Sequence, residues 1–206
     1  MLKTSVEKDE QKELIKRIED DLYLGRLAPG MWLKQIDLEQ KYGSTRLALR
    51  TALDQIASRG LVEKIPNRGF YVPTFDADSL RLVRDARARI ERSIAREITL
   101  NVTDDAFERL HERAEEFSGM VRSGTVEQQD KANLAFHAEM LKFSPNPVIC
   151  DLIWTLRRRI PLTIQRQDNT PERLEASAQQ HFTMIEALKS RDVEAFETLI
   201  TKHIVG

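Results

Sequence analysis

Cysteine occurs once in these 206 residues, at Cys150, so no internal disulfide can form and a reducing compartment is the natural setting. No apolar run approaches the roughly 20 residues that a membrane-spanning helix needs, and the polar N-terminus lacks the apolar core of a signal peptide. A cytoplasmic location is expected. Aromatic residues are scarce at 6%, whereas charged residues reach 32%, a balance that suits helices. Repeats and low-complexity tracts are absent. Net charge is nearly absent too: a value of −1 would ordinarily argue against a nucleic-acid partner. The charge is uneven along the chain, however. From Lys41 to Arg68 there are six basic residues (Lys41, Arg46, Arg50, Arg59, Lys64, Arg68) against two acids (Asp54, Glu63), a local net of +4. With 41% hydrophobic content, the chain can bury a core in one large domain or two modest ones.

The basic stretch is organised around residues 43–60. Leu49, Leu53 and Ile56 repeat at helical spacing on one face, with Thr45, Arg46 and Arg50 toward the other. Gly43 can take the positive φ that ends one helix, and Ser44 or Thr45 can cap the next, as in a helix-turn-helix. Upstream, residues 1 to about 10 are expected to fray, and Leu14, Ile15, Ile18, Leu22 and Leu24 mark an amphipathic helix that ends at Pro29-Gly30. A short helix over about 35–42 is expected to bury Ile36 and Leu38 or Tyr42. Downstream, residues 61–65 and 70–72 read as two strands joined by Pro66-Asn67-Arg68-Gly69. Three helices and a two-stranded wing make a winged helix-turn-helix over residues 1–73.

Pro29-Gly30, Gly43-Ser44-Thr45-Arg46, Arg50, Ala52-Leu53, Gly60-Leu61-Val62 and Pro66-Asn67-Arg68-Gly69 together resemble the DNA-binding domain of GntR-type bacterial transcription regulators. Leu47-Ala48 stands where that family usually has Thr-Pro, and Thr51 where it has Glu. The resemblance implies a homodimer on a near-palindromic DNA site. Arg46 and Arg50 would meet base edges and phosphates, Thr45 would lie near phosphate, Arg68-Gly69 would approach the backbone or minor groove, and Ser44 would belong to the same DNA-binding set.

From residue 77 to 206 the signal is helical. Helices are expected over about 77–100, 104–122, 126–143, 147–165, 171–189 and 192–204, split at Thr103-Asp104, Ser123-Gly124, Pro145-Asn146-Pro147, Thr170-Pro171 and Arg191-Asp192. That is an all-α bundle of about six helices, and the chain as a whole is mainly α. Polar residues interrupt its apolar stripes. Arg87 lies among Val83, Ile90, Ile94 and Ile98, where a guanidinium needs an anion. The partner could be Glu91 one turn on, or the carboxylate of a small effector. Three of the four histidines also lie on apolar stripes: His137 with Leu134, Met140 and Leu141, His181 with Ile185 and Leu188, His203 with Val193, Phe196 and Ile200. Each alone reads as a hydrogen-bonded core histidine. Three on inward faces of three helices suit a divalent transition metal, zinc by default and nickel, manganese or iron as alternatives. His111, beside Glu112, reads as surface.

Arg87-x-x-Ile90-Glu91, Asn133-x-x-Phe136-His137, Ser144-Pro145-Asn146-Pro147, and Gln180-His181 with Arg191-Asp192, Ala195 and His203 resemble the all-helical FCD effector domain of the FadR subfamily of GntR regulators. That resemblance implies a metal site of Asn133, His137, His181 and His203, with Asn133 at a position more often acidic. The function expected is a ligand-responsive transcription regulator, read as a repressor, with a small carboxylate effector bound near the metal. A metal-dependent hydrolase using the three histidines is the competing class. It lacks a carboxylate in an HExxH-like arrangement and leaves the basic helix-turn-helix unexplained. A helical scaffold with core histidines is the third possibility.

Overall fold

A computed structural model describes the backbone of residues 2–167 and 169–205, and side chains from Lys8 onward except Asp168. The chain forms two compact units. One runs to Ala77 and includes Arg158–Arg166; the other comprises Asp78–Arg157 and the residues from Gln167 on.

In the first unit the order is α1 (Leu2–Tyr23), β1 (Trp32–Leu33), α2 (Gln35–Tyr42), α3 (Arg46–Ser58), β2 (Glu63–Ile65) and β3 (Gly69–Tyr71). The N-terminal residues expected to fray are helical from Leu2; Met1 lies outside the described residues. Leu14, Ile15, Ile18 and Leu22 of α1 are buried with Leu38, Tyr42, Leu49, Leu53, Ile56, Phe70 and Val72 in one core. Such side chains contribute about 1.5–3 kcal/mol each when fully buried. Ile36 departs from expectation: it is 67% exposed, and α2 buries Leu38 and Tyr42 instead, four residues apart on one helical face.

The turn between α2 and α3 follows from its sequence. Gly43 closes α2 at φ 62° and ψ 34°, with its N–H bonded to the Glu39 carbonyl. No atom lies within 4 Å of where a Cβ would sit, so the backbone angle and not crowding calls for glycine here. Thr45 is extended, and its hydroxyl accepts from the Ala48 N–H at 3.3 Å, which caps α3. The sheet has one strand more than the expected wing. β1 pairs with β3 (Trp32 opposite Tyr71, Leu33 opposite Phe70), and β3 pairs with β2 (Lys64 opposite Phe70), all antiparallel.

Residues 158–166 join this unit closely. Arg158 pairs with Asp20 of α1 and lies 5.4 Å over the Tyr23 ring. Gly25, at φ 74°, lets Thr163 approach; a Cβ there would meet its methyl at 2.6 Å.

The second unit holds α4 (Ala77–Ser93), α5 (Ala95–Asn101), α6 (Asp104–Ser123), α7 (Val126–Leu141), α8 (Pro147–Arg159), α10 (Pro171–Lys189) and α11 (Val193–Val205), with α9 (Leu162–Gln165) in the segment that joins the first unit. Its helices begin where capping chemistry allows. Thr125 forms a reciprocal capping box with Gln128, Asn146 accepts from the N–H groups of Val148 and Ile149, and Thr170 caps α10 ahead of Pro171. Two expected helices are broken. Residues 77–100 divide at Ile94, which lets Ile94, Ala95, Ile98 and Thr99 all enter the core. Residues 147–165 divide at Pro161, which lacks an N–H and disfavours helical backbone at Ile160. Ile94, Ile98, Leu110, Phe136, Met140, Ile153, Met184, Leu188, Phe196 and Ile200 fill the interior.

Candidate nucleic-acid interface and histidine pocket

On α3, Leu49, Ala52, Leu53 and Ile56 are fully buried, which leaves Thr45, Arg46 and Arg50 exposed on the other side. Ser44 is half-buried, and Asn67 (φ 59°) and Gly69 (φ 103°) form the left-handed positions of the β2–β3 turn. Ion pairing then sorts the six basic residues. Lys41 pairs with Asp21, Arg59 with Glu19 and Lys64 with Asp54. Among the described residues no acid pairs with Arg46, Arg50 or Arg68. Arg68 lies at the wing tip with its guanidinium 4.6 Å over the Trp32 ring, and Trp32 in turn packs on Tyr71. Arg46 and Arg50 lie on the first two turns of α3, and Arg68 at the wing.

The second site lies inside the helical unit. α7 supplies Asn133 and His137 one turn apart, α10 supplies Gln180 and His181, and α11 supplies His203. The three imidazoles come together: one ring nitrogen of each lies within 4.8 Å of the others. His137 Nε2 is 3.2 Å from His203 Nε2, and His203 Nδ1 is 2.8 Å from Gln180 Oε1. Phe136 stacks on His181 at 3.9 Å between centroids, with Phe117 at 5.0 Å. His137 and His181 have no solvent exposure. Asn133 Oδ1, His137 Nδ1 and both ring nitrogens of His181 are buried with no hydrogen-bond partner among the described residues. Leaving such a group unsatisfied costs about 1–3 kcal/mol, so the unpartnered nitrogens of the histidine cluster call for a ligand.

Electrostatics keep these rings neutral. Burial pushes His137 and His181 well below the ordinary imidazole range, and the positive charge of Arg157 adds to it; His203 falls to about 3 for the same two reasons, with Arg87 contributing. A neutral ring retains a lone pair for coordination. Arg87 makes an ion pair with Glu91 at 2.9 Å, the internal partner one turn on, and Glu91 is bonded by Arg157 as well, also at 2.9 Å. Two guanidiniums thus share one fully buried carboxylate, and the imidazoles of His137 and His203 feel the positive charge of both.

Arg157 is the residue that sequence inspection missed. It continues the apolar stripe Ile149, Ile153 at helical spacing, which is the signal that singled out Arg87. His111 is a surface residue of α6, 3.5 Å from Glu115.

Residues 83–206 match the family model of the FCD domain, and residues 10–72 that of the bacterial regulatory proteins of the gntR family. The chain is 23% identical over 185 residues to the HTH-type transcriptional repressor RspR of Escherichia coli strain K12, spanning 86% of this chain and 78% of that protein. Over 178 residues it is 24% identical to the Nta operon transcriptional regulator of Aminobacter aminovorans, spanning 85% and 82%. Its fold is similar to the solved structure of E. coli McbR/YncC, with a TM-score of 0.83 at 22% identity over 95% of this chain and 93% of that one. With the helix-turn-helix of the gntR family joined to an FCD domain that takes up most of its length, the chain belongs to the FCD-containing gntR regulators and is a DNA-binding transcription regulator, not an enzyme.

Proposed function

We propose that this regulator is a homodimeric repressor whose DNA binding is controlled by a small carboxylate effector held near a metal ion in the helical unit. The observation that carries the proposal is the convergence of three imidazoles whose ring nitrogens lie within 4.8 Å of one another, with His137 Nδ1 and both nitrogens of His181 lacking a hydrogen-bond partner among the described residues. Three neutral imidazoles and one amide oxygen form a donor set that fits a divalent transition metal. His137, His181 and His203 would hold the ion with Asn133 as the oxygen donor. Zinc is the first choice, with nickel, manganese or iron as alternatives. Bound there, the metal supplies a Lewis-acidic positive charge able to hold an anionic effector. Arg87 is the protein's own carboxylate-pairing group: its guanidinium already forms an ion pair with the Glu91 carboxylate alongside Arg157, and it adds to the positive potential at the imidazoles. An effector controls DNA binding only if it prefers one arrangement of the dimer.

A single winged helix offers limited contact, which favours a dimer that presents two copies of α3 to a near-palindromic operator. Ser44, Thr45, Arg46, Arg50, Arg68 and Gly69 form its contact surface. The repressor role is supported by the name of the E. coli relative RspR. The test is selection of genomic fragments on the purified, metal-supplemented protein, followed by titration with carboxylates handled by enzymes encoded beside the selected site. Enrichment of a two-fold site from which one such carboxylate releases the protein is expected. Enrichment without sequence preference, or binding indifferent to every carboxylate, would contradict the proposal.

A further inference from the structure

Gln180 belongs to neither the proposed DNA surface nor the donor set, yet it bonds one of the three histidines: its Oε1 lies 2.8 Å from His203 Nδ1. A carboxamide oxygen has lone pairs and no hydrogen, so the hydrogen in this bond belongs to Nδ1. A neutral imidazole carries one N–H. With that hydrogen on Nδ1, the lone pair of His203 is on Nε2, the atom that faces His137 across 3.2 Å. We infer that Gln180 is a positioning residue that fixes the tautomer and ring orientation of His203, so that its Nε2 lone pair is directed into the histidine cluster.

The inference rests on the metal reading proposed above and identifies what prepares one of the ligands. Adjacent residues on α10 divide the work: His181 offers a ring nitrogen, and Gln180 holds the ring from α11. The hydrogen between His137 and His203 then sits on His137 Nε2, because His203 Nε2 is the acceptor. Outer partners of this kind fix ring orientation and raise ligand basicity, and their loss typically weakens metal binding about 10–100-fold.

The experiment compares wild type, Gln180→Met and Gln180→Glu as full-length chains. Met keeps the length without an acceptor, whereas Glu keeps an acceptor oxygen at similar size. Zinc affinity is read by competition with a chromophoric chelator, and the histidine tautomers of the metal-free protein by long-range nitrogen NMR. Gln180→Met is expected to bind zinc about 10–100-fold more weakly, and Gln180→Glu at least as tightly as wild type. His203 is expected as the Nδ1–H form in wild type and Gln180→Glu, and as a mixture in Gln180→Met. Finding His203 as the Nε2–H form in wild type overturns the inference without any variant. Undiminished zinc affinity in Gln180→Met overturns it while leaving the metal centre standing. If wild type takes up neither zinc nor, in the same assay, nickel, manganese or iron, both are overturned.

Discussion

Acidifying the metal-free protein from pH 8 to 5.5 is expected to cost the helical unit about 3–4 kcal/mol of stability. The histidines are the cause. Each is neutral when folded, because burial and the nearby Arg157 charge hold its pKa below the ordinary 6.5. The unfolded chain therefore binds more protons than the folded one between 6.5 and the folded values. Stability is fully present above pH 6.5 and declines as pH falls below it. At pH 5.5 an imidazole that stays neutral when folded loses about 1.4 kcal/mol relative to pH 8. His137 and His181, both without exposure, supply about 2.8 kcal/mol between them, and half-buried His203 adds up to about 1.4. The carboxylates with lowered pKa, Asp21, Asp105, Glu139 and Glu172, are silent in this window, since their contribution is lost only below the ordinary carboxylate range. Urea unfolding at several pH values, in a Trp32→Phe background so that Trp154 reports the helical unit, measures the slope. His181→Leu should remove about 1.4 kcal/mol of the decline. A stability that is level from pH 8 to 5.5, or a His181→Leu variant with the full decline, would refute the assignment of neutral buried rings.

Arg46→Ala should weaken operator binding by about 1–3 kcal/mol for each base hydrogen bond it removes, measured at matched salt, with no change in melting temperature because Arg46 is exposed and makes no ion pair among the described residues. Binding as tight as wild type would remove it from the DNA surface. Arg87→Met should abolish the effector response and leave operator binding intact, because Glu91 keeps Arg157 as a partner. Loss of several kcal/mol of stability with unchanged effector affinity would instead make Arg87 purely an internal partner of Glu91.

Most of the winged helix was legible because its signals are local. Gly43 and Thr45 end one helix and start the next, and Leu49, Leu53 and Ile56 are all buried as their spacing implies. β1 was not legible, since two residues, Trp32 and Leu33, become a strand only by pairing with β3 nearly 40 positions away. Ile36 misled because an apolar residue at a helix start carries no mark of which face it takes. In the helical unit, the histidines and Arg87 stood out as polar residues on apolar stripes. Arg157 carried the same mark within a run of three arginines and was overlooked there. The bond between Gln180 and His203 depends on how α10 meets α11, which no single helix encodes. Nor did the sequence indicate that residues 158–166 would pack with the N-terminal unit, a consequence of Pro161 ending α8 and of Gly25 admitting Thr163.

Whether the histidine cluster is a metal centre or core packing is tested most directly by elemental analysis of untagged protein beside a His137→Ala, His181→Ala double variant, each after supplementation with zinc, nickel, manganese and iron in turn. Wild type is expected to retain a stoichiometric amount of one of these ions through gel filtration, and the double variant to lose it. Equal metal content in the two proteins, or none in wild type with any of the four ions, would contradict the account.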